Sequence, residues 1–199
     1  MRTFITFCFT AAVLWGQIFT ATQPGVEYRI LSEPNRDPWQ KPDQVISALK
    51  FSSSETVAVI ENGYPYFATR IAPHAGKVYA INADPRAFQG PKAPPPGVGD
   101  ILSTWTDPRL SSINADTVMI VDMLRFLPSR LPYYLGIIAG LKAGGRLVII
   151  DRPLPSAFAP GAGKLDDVFL KAELPLAGFR FAQQFTILQP YQYFLVFQR

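Results

Sequence analysis

The sequence predicts an α/β fold built on an open, mainly parallel sheet that ends in a C-terminal antiparallel β-hairpin. Three observations predict it. Apolar runs of strand length, Thr56–Ile60, Lys77–Asn82, Asp116–Asp122 and Arg146–Ile150, alternate with segments of helical periodicity. An Asn62-Gly63 turn separates the first run from a helix near Tyr66, and the second run follows about twenty residues on, the spacing of a nucleotide-binding strand–helix–strand corner. Two long apolar stretches, Phe179–Leu188 and Tyr191–Phe197, flank a Gln189-Pro190 turn and close the chain as a hairpin.

The first 22 residues form a segment of their own. Arg2 supplies a positive start, Phe4 to Leu14 lacks strongly polar side chains, and Thr20, Ala21 and Thr22 offer small residues for cleavage. That is the pattern of a secretory signal peptide. Gly16 and Gln17 interrupt the run before the ~20 residues of a stable span, and an uncleaved N-terminal anchor is the alternative. Either way the expectation is export, periplasmic or secreted, with membrane contact only through that segment. Cys8 is the single cysteine and sits inside the leader, so the mature protein would carry no disulfide.

Residues 23–41 are polar and Pro-rich and read as an irregular lead-in arm, and residues 42–199 as the domain proper. Pro42 starts a short helix to Lys50, with Val45, Ile46 and Leu49 on one face. A helix follows the first strand from about Pro65 to Ala72. After the second strand, Gly90–Gly99 carries Pro91, Pro94, Pro95 and Pro96 and cannot be helical. Pro85–Phe88 is left as a short helical turn, and Ile101–Thr104 as a short third strand. The central run Val118–Val121 suits a strand buried on both faces. Leu131, Tyr134, Leu135, Ile138 and Leu141 share a helical stripe, which Ala143-Gly144-Gly145 would stop. A Pro/Gly-rich link, Arg152–Gly163, leads to a last helix from about Lys164 to Leu176.

Composition excludes several function classes. With 48% hydrophobic and 17% charged residues, the chain is globular, and 199 residues give room for one full core. A net charge of +4 is spread without a run of Lys or Arg, so no nucleic-acid-binding stripe appears. His74 is the only histidine, which leaves zinc sites and Ser-His-Asp or Cys-His catalysis short of groups; it reads as a solvated loop residue. Asp166-Asp167 reads as an acidic helix start rather than a cation site. Asp122 and Asp151 end strands at the edge where open sheets bind ligands, and each can instead cap the turn that follows. Trp105, Tyr64 and Tyr66 can line the same cleft or form the edge of the core. Tyr191, Tyr193, Phe194 and Phe197 read as sheet packing.

Several segments carry a family resemblance: Arg36-Asp37-Pro38-Trp39-Gln40-Lys41-Pro42-Asp43, Gly76–Asn82, Asp107-Pro108-Arg109-Leu110, Leu141–Asp151 and Tyr191–Phe197. On these the chain resembles the class I S-adenosylmethionine-dependent methyltransferases, in particular bacterial exported or anchored methyltransferase-like proteins. The resemblance covers most of the mature sequence. It implies a Rossmann-like fold, S-adenosylmethionine as cofactor, an unknown small-molecule substrate, and a cofactor site at Glu61, Gly63, Tyr66, Asn82, Asp107 and Asp122.

The chain departs from the family pattern within that site. The family's first-strand acid falls on Val59, and its glycines fall on Glu61, Gly63 and Pro65, so only Gly63 matches. Glu61 would add a carboxylate able to grip the cofactor's amino group. The acid that takes the ribose hydroxyls is replaced by Asn82, a weaker acceptor than a charged group. The segment Asp122–Leu127 lacks the histidines that relatives often carry there. Together these changes cost on the order of 3–5 kcal/mol of cofactor affinity, about two to four decades. Two readings follow: methyl transfer to a small molecule, or an exported pseudoenzyme that keeps the fold as a binding or interaction module. Restoring charge with Asn82→Asp is expected, on sequence alone, to strengthen cofactor binding.

Overall fold

The computed structural model describes residues 36–89, 97–158 and 160–199. The leader, the arm before Arg36 and the prolines of the Gly90–Gly99 segment lie outside them; Val98 and Gly99 already belong to a strand. Seven strands form one sheet: β1 (Thr56–Glu61), β2 (Lys77–Asn82), β3 (Val98–Leu102), β4 (Ala115–Val121), β5 (Leu141–Asp151), β8 (Arg180–Phe185) and β9 (Tyr193–Gln198). β6 (Leu154–Pro155) and β7 (Lys164–Leu165) pair separately. The order across the sheet is β3-β2-β1-β4-β5-β9-β8. Strands β1 to β5 are parallel and β9 is antiparallel to both neighbours. The expected mainly parallel sheet with a terminal antiparallel pair is what forms.

Strand periodicity sorts the core onto two faces. Val57, Val59, Met119, Val121, Val148 and Ile150 point to one side, where α2 (Pro42–Leu49) and α3 (Tyr66–Ile71) supply Val45, Leu49, Phe67 and Ile71. Ala58, Ile60, Val118, Ile120, Leu147 and Ile149 point to the other, covered by α4 (Arg130–Gly140) and α5 (Asp167–Glu173). Central strands buried on both faces explain the unbroken apolar runs.

Several boundaries move from their sequence positions. Part of the expected irregular arm is a helical turn, α1 (Asp37–Gln40). The third strand is Val98–Leu102, not Ile101–Thr104. On α4 the buried face is Tyr133, Tyr134, Ile137 and Gly140, while Leu131 and Leu135 are exposed. The helix is apolar nearly all round, so its periodicity does not identify the packed side. It ends at Gly140, whose Cα lies so close to Leu110 that a Cβ there would stand 2.2 Å from the Leu110 carbonyl oxygen. Leu141 then opens β5, and the register between β4 and β5 shifts across Lys142–Gly145, with Gly144 at φ 74°. Ala143-Gly144-Gly145 is therefore a strand irregularity, not a helix stop. The last helix is shorter than expected because Lys164–Leu165 pairs as β7, and Asp166 caps α5 by accepting from the Phe169 N–H at 2.9 Å. Tyr193, Phe194 and Phe197 pack in the sheet as expected, whereas Tyr191 is 60% exposed.

Candidate functional site

In this strand order the crevice between β1 and β4, at the carboxyl ends, is the topological switch point. The chain leaves β1 through Asn62-Gly63, and Gly63 takes φ 95°, a conformation glycine adopts without Cβ strain. Across the crevice Asp122 follows β4 with φ 52°, uncommon for a residue with a side chain. Such geometry is held in place by its surroundings and concentrates at ligand sites.

Glu61 is buried, and it does not face the crevice as a free carboxylate. Its Oε2 accepts from the Phe67 N–H at 3.0 Å and its Oε1 from the Ala68 N–H at 3.2 Å. The side chain thus satisfies two orphan donors at the start of α3. Burial pushes its pKa up, against the Arg36 guanidinium and the α3 N–H groups, which pull it down. In this structure the donors of its own helix hold the carboxylate.

Asn82 is turned inward as well. Its Nδ2 donates to the carbonyls of Glu61 at 2.7 Å and Gly63 at 3.1 Å, and its Oδ1 accepts from the Asp84 N–H at 2.8 Å. The amide pins the β1–α3 loop to the end of β2. A carboxylate would face two carbonyl oxygens, which reverses the sequence-based expectation for Asn82→Asp. We expect that variant to lose about 2–4 kcal/mol of stability and to gain no affinity for S-adenosylhomocysteine. Chemical denaturation with a parallel titration checks both; unchanged stability would contradict the pinning role.

Tyr66 donates its hydroxyl to Asp37 Oδ1, and two guanidinium groups stand over its ring, Arg36 at 4.2 Å and Arg70 at 3.8 Å from its centre. Arg70 also pairs with Asp37 at 2.8 Å. Tyr66 thereby fastens α1 to α3. Asp107 lies apart, exposed in the loop after β3, where its Oδ1 accepts from the Arg109 N–H at 2.8 Å. Trp105 packs against the core edge.

Around Asp122 the structure assembles residues that sequence reasoning missed. Gln40 Nε2 donates to Asp122 Oδ2 at 3.0 Å, bridging 82 positions of sequence. Gln192 Nε2 donates to Asp122 Oδ1 at 2.9 Å. Arg152 Nε stands 3.6 Å from the same oxygen. Arg36, 2% exposed, donates from Nε to Gln40 Oε1 at 2.5 Å, and its Nη2 is buried without a hydrogen bond. The signals were two of the resembling segments, Arg36–Asp43 for Arg36 and Gln40 and Tyr191–Phe197 for Gln192.

Asp151 neighbours Asp122 and is fully enclosed. Its Oδ2 accepts from the Leu124 N–H at 3.0 Å and its Oδ1 from the Arg152 N–H at 2.7 Å, so its capping role is real. Burial, with the Asp122 charge, pushes its pKa up to about 7. Burial raises Asp122 too, opposed by Arg152 and Arg36. A carboxyl whose pKa rises on folding takes up a proton between its unfolded value, near 3.8, and about 7. Stability from this group is therefore greatest at low pH and falls as pH rises through that window. We expect the free energy of unfolding to drop between pH 5 and pH 8, by on the order of 1–2 kcal/mol, and the denaturation midpoint with it. Asp151→Asn should flatten that slope. A midpoint that climbs with pH would count against it.

Clefts adjoin the sheet at both rims among the described residues. One of about 390 Å³, next to the switch point, is lined by Pro38, Trp39, Arg152 and Tyr191. The other, about 320 Å³, lies at the opposite rim, where its charges pair with one another: Lys142 with Asp116 at 2.8 Å and Arg146 with Glu55 at 3.3 Å.

No protein-family model and no curated protein matches the chain. Solved structures do. A SAM-dependent methyltransferase from Aquifex aeolicus is similar with a TM-score of 0.66 and 18% identity, over 84% of this chain and 94% of that one. The N-methyltransferase NodS from Bradyrhizobium japonicum gives 0.60 and 13%, over 83% and 98%. The trans-methyltransferase CalH, solved in complex with SAH, gives 0.61 and 14%, over 74% and 52%. The chain has the class I methyltransferase fold. At these identities the likeness is one of fold, and function rests on the residues at the site.

Several polar groups at the carboxyl end of β1 and β2 are engaged within the chain. A ligand carboxylate at the start of α3 would find the Phe67 and Ala68 N–H groups already donating to Glu61. A ribose beside β2 would find both polar atoms of Asn82 engaged with backbone. Arg36 and Gln40 bury themselves over the crevice between Glu61 and Asp122.

Proposed function

We propose that this chain is a methyltransferase-fold protein that works as a small-molecule binding module and has lost methyl transfer. The observation that carries this is the Glu61 carboxylate, which the chain has installed on the α3 N–H groups where an anionic ligand end would otherwise dock. Asn82 supports it by closing the loop from the other side. Calorimetric titration of the full chain with S-adenosylmethionine and S-adenosylhomocysteine tests it. The expected result is no binding tighter than about 1 mM. Micromolar binding overturns it.

The second reading is S-adenosylmethionine-dependent methyl transfer to a small molecule, favoured by the likeness of fold to solved methyltransferases. It requires Glu61 and Asn82 to leave their present partners, and the same titration separates the two. Export is part of the proposal, on the strength of Arg2 and the Phe4–Leu14 run. Mass spectrometry of the native protein should find a chain lacking the first 22 or so residues; an intact cytosolic form beginning at Met1 would end that idea.

A further inference from the structure

The cleft beside the switch point has a specific chemistry. Trp39 and Tyr191 bring aromatic side chains to its lining, Pro38 an apolar one, and Arg152 a guanidinium. The Arg152 guanidinium lies 4.6 Å from the centre of the Trp39 ring. Its Nε faces Asp122 at 3.6 Å, and among the described residues its two Nη groups have no hydrogen-bond partner. Guanidinium donors in that fork match a carboxylate in two parallel bonds. The volume, about 390 Å³, falls within the ordinary range for small-ligand sites.

The walls are placed by the buried network behind them. Trp39 precedes Gln40, Tyr191 precedes Gln192, and Arg152 follows Asp151. Gln40 and Gln192 both donate to Asp122, which also faces Arg152, so one buried carboxylate ties all three walls together. A site whose lining is fixed from behind costs little ordering when a ligand enters. The negative charge beneath Arg152 is already shared by two amides and opposed by Arg36, which leaves the outer guanidinium edge to a ligand.

We infer that this cleft binds a small planar aromatic carboxylate, its ring against Trp39 and Tyr191 and its carboxylate on the Arg152 fork. The inference rests on the binding-module reading and names its ligand class. The test is calorimetric titration of the full chain with indole-3-carboxylate and, as the uncharged match, indole-3-carboxamide. The carboxylate should bind with a dissociation constant below about 1 mM and be preferred by roughly tenfold. Arg152→Gln should erase the preference. Tyr191→Ala, at an exposed position that leaves the fold alone, should weaken both ligands. Failure of indole-3-carboxylate to bind, equal binding of the two, a preference that survives Arg152→Gln, or indifference to Tyr191→Ala each overturns the inference. An added S-adenosylhomocysteine arm keeps the two levels apart. Micromolar binding there overturns the reading beneath, while a silent indole-3-carboxylate titration overturns the ligand class alone.

Discussion

Glu61→Ala is expected to cost the protein about 3–5 kcal/mol, one of the two largest effects of any change at the site. The substitution strips acceptors from the buried Phe67 and Ala68 N–H groups at once. It also leaves the Arg36 guanidinium, buried beside Glu61, without one of the charges that compensates it. Glu61→Gln keeps a single carbonyl acceptor and should lose about 1–2 kcal/mol. Urea denaturation of the three proteins gives the ranking. If Glu61→Ala were as stable as the parent, the carboxylate could not be the internal cap of α3. Its removal would then be tolerated as it would be in a protein that offers these donors to a ligand. A gain in S-adenosylhomocysteine affinity by Glu61→Ala would, by contrast, agree with the geometry, since the α3 N–H groups would be vacated.

The fold was legible because strands buried on both faces write themselves as apolar runs, and Val57–Ile60, Val118–Val121 and Leu147–Ile150 lie in the three central strands. Turn chemistry at Gly63 and around Gln189-Pro190 was legible for the same local reason. What could not be read were contacts that depend on distant backbone. Position 140 has no room for a Cβ because of Leu110, thirty positions away in sequence and within contact in space. Asn82 looked like a weakened ribose acceptor because it sits where the family has an acid; only the approach of the Glu61 and Gly63 carbonyls shows that its donor end is in use beside its acceptor end. Gln40 and Gln192 lie in resembling segments that assign them no role, and Arg152 lies just past a third. They become a site only when α1, the β8–β9 loop and the end of β5 meet at Asp122.

Arg36→Ala is expected to destabilise the protein by about 3–5 kcal/mol and, more tellingly, to loosen α1. Arg36 is a buried cation that lowers the pKa values of both Glu61 and Asp122 against the burial that raises them. Taking it away leaves two enclosed carboxyl groups that must shed charge or find water. Both should then titrate at higher pH than in the parent, and the fall of stability with rising pH should steepen. The Nε bond to Gln40 goes as well, and with it the positioning of the Gln40 amide on Asp122. Since α1 is four residues long, it cannot hold its helical turn without these tertiary contacts. Limited chymotrypsin digestion reads this directly: cleavage after Trp39, within α1, should be slow in the parent and fast in Arg36→Ala. Arg36→Met, which keeps the volume and removes the charge, should behave like the alanine variant, because the uncompensated carboxylates and not a cavity set the cost. A methionine variant as stable and as protease-resistant as the parent would mean that Arg36 fills space over the crevice, and that charge compensation is not what closes it.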